Sequence, residues 1–340
     1  LQLPIIRNYT SELIAADLFR SNKILAPRNQ YVRLIINGKE LGIRHVEESI
    51  AKELVESQMK RYGPVFSVNE TIPEFDINTG FDLNDKSFWN KSSSNLSNQA
   101  ISLLEYSFQN EKALRSNIDI KLWAKFFALS DVLNTYHGVL EKSVKYYLNP
   151  TTGLIEPVFF DGHFTSNFKK FLIGDYLYNN NNKENYKDHL LVNSNNFLYR
   201  FFGNSNEINI DFYNAYIESL RYLTSDKYKN NTIYPSIKKY SGLRGSLYRS
   251  FHRFDMISQN GYLPHIYNHK FIDNRINMIN NKIKVLKESI PIIESNENST
   301  ISITNSKSTL PQIINLKCNE DLISKHILIK NLSKKISYKE

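Results

Sequence analysis

The stretch Tyr31-Val32-Arg33-Leu34-Ile35-Ile36-Asn37-Gly38-Lys39-Glu40-Leu41-Gly42-Ile43-Arg44-His45-Val46-Glu47-Glu48 decides how the chain is read. Its first six residues are mostly β-branched or aromatic. Asn37-Gly38 is the dipeptide a two-residue hairpin turn favours, because both positions need positive φ, and Leu41 to Val46 returns as the partner strand. From Glu48 to about Arg61, the residues Ile50, Leu54, Val55 and Met59 recur near one face of a helix. Gly63-Pro64 stops that helix, and Val65-Phe66-Ser67-Val68 reads as a third strand. On the other side of the hairpin, Leu13, Ile14, Leu18 and Phe19 mark a short amphipathic helix over Ser11–Ser21.

A second hairpin lies downstream. Ile118 to about His137 reads as a buried helix, with Leu122, Trp123, Phe126, Phe127, Leu129, Val132 and Leu133 on its apolar side, ending near Gly138. Val144–Leu148 is a strand, Asn149-Pro150-Thr151-Thr152-Gly153 a turn, and Leu154–Phe160 the returning strand, with Asp161-Gly162-His163 at its end. Residues 69 to about 95, rich in Asn, Asp, Ser and Gly, are expected to form a surface excursion. Later helices are expected at Asp211–Thr224, Ile233–Phe251 and Ile272–Ser289, with a polar break at Asn179–Asn182 and no repeat. Ser295–Ser308 reads as a linker, and the last thirty residues, with Lys330, Lys334, Lys335 and Lys339, as an appended helix or a basic tail.

Composition narrows the class. In 340 residues, 41% apolar and 13% aromatic content, with 21 Tyr and 20 Phe, excludes a disordered polymer and implies a packed core. No run approaches the ~18–20 apolar residues of a spanning helix, and mean hydropathy is −0.43. Cys318, the single cysteine, excludes an internal disulfide and a Cys-based zinc site. The net charge of +9 sits beside 41 Asn and frequent Ile and Lys, the mark of a biased base composition. Without a Lys/Arg block ahead of the tail, the charge reads as a solvated surface, and no nucleic-acid partner is expected. The sequence begins at Leu1 with no charged-then-apolar leader, so no signal peptide is expected within it.

Chemistry-bearing residues are individually ordinary. Asp161, leaving a strand ahead of Gly162, suits a divalent-cation ligand, yet Asp-Gly is equally a turn dipeptide. Glu47-Glu48 suits a helix first turn as well as a site, and His137 a helix C-terminus.

Their order is less ordinary. Tyr31-Val32-Arg33-Leu34, Asn37-Gly38, Gly42-Ile43 and Val46-Glu47-Glu48 resemble the hairpin and acidic signature of the CotH kinase family. So do Lys52-Glu53-Leu54 with Glu56, Arg61 with Gly63-Pro64, and Tyr136-His137 followed by Tyr146-Tyr147, Asn149-Pro150, Thr152-Gly153, Glu156-Pro157 and Asp161-Gly162. The resemblance spans about residues 5 to 290. It implies an α+β, two-lobed, atypical protein-kinase-like fold, with a β-hairpin and helix lobe over 1–95, a mostly helical lobe over 96–290 carrying the second hairpin, and a linker and tail over 291–340. It further implies an ATP- and Mg²⁺- or Mn²⁺-dependent phosphotransferase acting on protein Ser or Thr hydroxyls, at the cell envelope or outside the cell.

In that reading Asp161 binds the metal, and Glu47 and Glu48 hold the phosphate side. Three positions depart from the pattern: Thr135 stands where a catalytic Asp is expected, Ser143 where an Asn is expected, and Ser67 where a Lys is common. A hydroxyl supplies neither a base at neutral pH nor a positive charge. Asp131 and His137 are the available surrogates for the base, and Arg44, Arg61 or Lys60 for the phosphate-binding cation. The alternative is a catalytically degenerate kinase fold with a structural or binding role in the envelope.

Overall fold

A computed structural model describes residues 1–68, 80–162, 171–176, 195–203, 208–243, 246–247 and 267–288, with four short strands between 292 and 338. The chain is α+β. After a 3₁₀ turn, Pro4–Arg7, helix α1 runs Thr10–Ser21, as its apolar spacing predicts. Strands β1 (Asn29–Ile36) and β2 (Lys39–Glu47) form the first hairpin. Asn37 and Gly38 both take positive φ, 51° and 78°, as the two-residue turn requires.

The helix expected from Glu48 to Arg61 is shorter, α2 over Lys52–Ser57. Glu48 does not start it, because its N–H donates to the Arg28 carbonyl and prolongs the hairpin. Met59, at φ 59°, lies past its end and is solvent-exposed rather than on the apolar face.

Four antiparallel strands make the central sheet in the order β4-β3-β5-β6: Phe81–Leu83, Val65–Val68, Lys145–Leu148 and Ile155–Val158. Two come from each side of residue 95. Alternation sends Phe66 and Tyr146 to one face, where Phe81, Phe108 and Trp123 pack on Tyr146. Val65, Tyr147 and Val158 take the other face, against Leu54 and Val55 of α2.

The excursion expected over 69–95 is corrected in its described part. Phe81–Leu83 pairs with β3, and α3 (Lys86–Ser92) buries Trp89 against Tyr62, rings 4.9 Å apart. Residues 69–79 lie outside the described ones. Two helices for which no expectation was set follow, α4 (Ser94–Gln109) and α5 (Glu111–Asn117).

Helix α6 (Ile120–Leu133) is capped by the Asp119 side chain and closed by Asn134 in the left-handed region. It therefore stops before His137, which sits in a separate 3₁₀ turn, Tyr136–Val139. Trp123, Phe126 and Phe127 are wholly buried, and the Trp123 indole N–H donates to the Ile155 carbonyl at 2.9 Å, pinning α6 to the sheet.

Short helices α7 (Ile173–Tyr176) and α8 (Asn195–Phe202) precede α9 (Ile210–Leu223) and α10 (Tyr234–Ser241), and α11 (His269–Glu288) follows. The helix expected over Ile233–Phe251 is instead entered earlier, through Asp226–Tyr228 and a π-turn at Lys229–Ile233. Its C-terminal positions 244–245 and 248–251, like Asn179–Asn182 and His163, lie outside the described residues. Ile292–Ser295 pairs with Ile301–Thr304, and Ile329–Asn331 with Ile336–Tyr338, so the described pieces of the expected linker and tail are strands, not a helix. Among the described residues no helix is long and apolar enough to cross a membrane.

Phe127 touches Trp123, Phe126, Phe201, Phe202 and Phe212. Phe127→Ala should cost about 3–5 kcal/mol in denaturant unfolding. Wild-type stability would place this ring outside the core.

Candidate functional site

The ends of the two hairpins meet on one guanidinium. Arg7 closes the 3₁₀ turn with its side chain almost fully buried, and it ion-pairs with Glu47 at the end of β2 (3.3 Å) and with Asp161 beyond β6. Its Nε donates to Gln2, which bridges the backbone of His45. Two carboxylates so distant in sequence thus share one positive charge.

Asp161 is held from a second side. Its backbone is left-handed, φ 51°, unusual for a residue with a side chain. His137 Nδ1 lies 2.9 Å from the Asp161 carbonyl and 3.2 Å from its Oδ2, with Ser143 Oγ at 3.4 Å. Since a carbonyl only accepts, Nδ1 carries the hydrogen, and in the neutral ring the lone pair is on Nε2. Two glycines allow this approach. A Cβ on Gly138 would lie 2.9 Å from Gly162 Cα, and one on Gly162 would lie 2.1 Å from the Phe159 ring, itself stacked on Phe19.

A third carboxylate completes the cluster. Glu12, in the first turn of α1, is 1% exposed and accepts from the Gly162 N–H. Burial pushes its pKa up to about 8; Arg7 opposes the shift, and Glu47 and Asp161 add to it. Burial also raises Glu47, again against Arg7. Glu12 Oε2 and Glu47 Oε1 are buried with no hydrogen-bond donor. An orphaned carboxylate oxygen such as that of Glu47 fits a divalent cation, whereas Glu12, raised to about 8, keeps its proton near neutral pH. Among the described residues no group of three His, Cys, Asp or Glu that could hold a metal ion is present.

The other residues singled out from the sequence lie elsewhere. Glu48 faces away from Glu47 and binds Arg28, through Nε at 3.0 Å and the backbone N–H at 3.0 Å. Arg44 donates to the carbonyl of its own neighbour Ile43, Arg61 is exposed with its carbonyl taken by the Tyr147 hydroxyl, and Lys60 is ion-paired with Glu156. Asp131 is wholly buried, accepting from Tyr136 and Tyr216 hydroxyls at 2.6 Å each and from the Ile173 N–H at 3.0 Å, while its carbonyl accepts from Arg275. Burial lifts it to about 7 despite Arg275. The enclosed carboxylate ties α6 to α7 and α9, the carbonyl of the same residue ties it to α11, and a side chain so covered cannot meet a substrate hydroxyl. Thr135 is likewise buried, its hydroxyl without a partner.

Sequence reasoning missed Arg7 and Glu12. The available signal was a carboxylate in a helix turn whose other residues, Thr10 to Ala16, are all buried, since a charge there must be matched by another. A family model described as CotH kinase protein matches residues 7–286, a span containing Arg7, Glu12, Glu47, His137 and Asp161. No curated protein matches the chain.

Glu12 sets a pH dependence. Its folded pKa of about 8 exceeds the ordinary 4.5, so between those values the folded chain keeps a proton the unfolded chain has lost, and stability falls as pH rises. Glu12→Gln removes that loss. The melting temperature of Glu12→Gln relative to wild type should therefore climb from pH 5 to pH 8.5; parallel curves would show that Glu12 does not titrate late.

Proposed function

The chain belongs to the CotH kinase family, and from that premise we propose that it is a phosphotransferase using ATP with Mg²⁺ or Mn²⁺ to phosphorylate Ser or Thr hydroxyls of a protein at the cell envelope or outside the cell. The observation that carries this reading is the convergence of Glu47 and Asp161 on Arg7, with His137 fixed against Asp161. Phosphoryl transfer asks for positioning and charge stabilisation more than for covalent chemistry by the protein.

Asp161 and Glu47 would hold the cation, which when bound supplies neutralisation of the phosphate oxygens. Glu12, protonated near neutral pH by its burial, limits the negative charge that Arg7 must balance. His137, whose Nδ1–H is committed to Asp161, carries on Nε2 the lone pair that would take the proton of the attacking hydroxyl. It takes the role for which Asp131 is too deeply enclosed.

A second reading, a degenerate kinase fold that binds without turnover, draws support from Thr135, buried where the family pattern has a catalytic Asp. One experiment separates the two. With labelled ATP, Mn²⁺ or Mg²⁺ and an unfolded Ser/Thr-rich protein as acceptor, the wild type should incorporate phosphate and Asp161→Asn should lose at least about a hundredfold in rate, the scale of removing a charge-stabilising group. Nucleotide-dependent thermal stabilisation without any incorporation would instead support the binding module.

A further inference from the structure

The start of α1, helix α10 and the start of α11 enclose a cavity of about 1000 Å³ that shares no residue with the Arg7 cluster. We propose that this cavity is a binding site for an amphiphile with one apolar chain and one anionic head, of the fatty acid or alkyl phosphate type. Its volume is at the upper end of the range of small-molecule sites, about 300–1000 Å³.

The wall fixes the apolar half of that ligand. Tyr234, Tyr240 and Tyr267 line the cavity together with Ile14, Pro235 and Ile237. Each tyrosine hydroxyl is already committed, to Asp273, to Asp17 at 2.6 Å and to the Leu133 carbonyl at 2.6 Å respectively. Their protons are spent, so the aromatic wall offers carbon surface and no donor. The His269 ring adds to it, stacked on Tyr234 with centroids 4.1 Å apart. Within this wall Thr10, 2% exposed, has a hydroxyl without a hydrogen-bond partner among the described residues. A peptide would bring amides that such a wall leaves unpaired, whereas a hydrocarbon chain needs no partner there.

The rim fixes the charge. Lys238 and Lys270 line the cavity, are exposed to solvent and carry no ion pair among the described residues. Their neighbour Lys239, by contrast, is held by Asp17 at 2.6 Å. No carboxylate is among the described lining residues. Two ammoniums beside an apolar hollow, with no negative group to oppose them, select an anionic head over a neutral or cationic one.

The test is calorimetric binding of laurate, octanoate, methyl laurate and dodecyl phosphate, each below its aggregation concentration, to the full chain, to Ser241→Trp and to Lys238→Gln/Lys270→Gln, with unfolding midpoints measured without ligand. Laurate and dodecyl phosphate should bind the wild type, and octanoate, four methylenes shorter, should bind at least about tenfold more weakly. Ser241→Trp, which fills the mouth from α10, should abolish uptake of all four. The double lysine variant should weaken laurate and dodecyl phosphate by about 5- to 10-fold, the scale of two rim ion pairs, and leave methyl laurate within about threefold. Its substitutions lie at exposed positions, so it decides the case if Ser241→Trp does not fold. Sedimentation with phosphatidylcholine vesicles, with and without phosphatidylserine, separates the sources. Laurate uptake without vesicle retention assigns a free amphiphile; uptake with retention on the phosphatidylserine vesicles, lost in both variants, assigns the chain of a membrane lipid. No laurate uptake by the wild type, or uptake that Ser241→Trp leaves unchanged, would overturn the site. Equal loss of laurate and methyl laurate in the lysine variant would overturn the anionic head.

Discussion

Everything distinctive in this fold hangs on the ion pairs of Arg7. A guanidinium buried in a turn ahead of α1 joins the carboxylate that ends one hairpin to the carboxylate that ends the other. Without it Glu47 and Asp161 would be partly buried like charges with no cation between them. Its fork of donors suits this task better than an ammonium, since it can serve two carboxylates and Gln2 at once. Asp161, in a left-handed backbone, is met from the other side by His137, with Gly138 close to Gly162. His45, buried beside this cluster, is driven down to about 4 by burial and by Arg7, so it remains neutral and leaves the guanidinium to the carboxylates.

The sheet divides the labour. One face is aromatic, packed on Trp123 and its neighbours, and gives β5 and β6 a rigid base. The opposite face carries Lys145 and Glu156 beside Val65, Tyr147 and Val158, which pack against α2. Asp131 extends that rigidity, since its four hydrogen-bonding partners belong to segments far apart in the chain. A buried carboxylate with every partner in place is a framework device, which explains why a residue that reads as a surrogate base by position turns out to be part of the core.

The two hairpins and α6 were legible in the sequence because their signals are local: a positive-φ dipeptide between β-branched runs, and a dense apolar stripe. Element ends were less so. The length of α2 is decided by Glu48 bonding across to Arg28, and that of α6 by Asn134, which turns the chain before His137. The strand at Phe81 is a three-residue piece that exists because β3 offers it a ladder. In the candidate site, Asp161, Glu47 and His137 were singled out by motif order, and the fold brings them close to one another. Arg7 and Glu12 did not, because only the folded chain brings them together, and Glu48, adjacent to Glu47, faces the other way by the parity of a strand.

The central claim is that Arg7 and Asp161 act as one unit that joins the two hairpin ends. A double-mutant cycle on folding stability, with Arg7→Gln, Asp161→Asn and the double variant unfolded in denaturant at low salt, measures that directly. The account predicts a coupling of about 1–3 kcal/mol, as expected for a partly buried charge-assisted pair. Additive effects with no coupling would contradict it, because Asp161 would then be held by something other than this guanidinium.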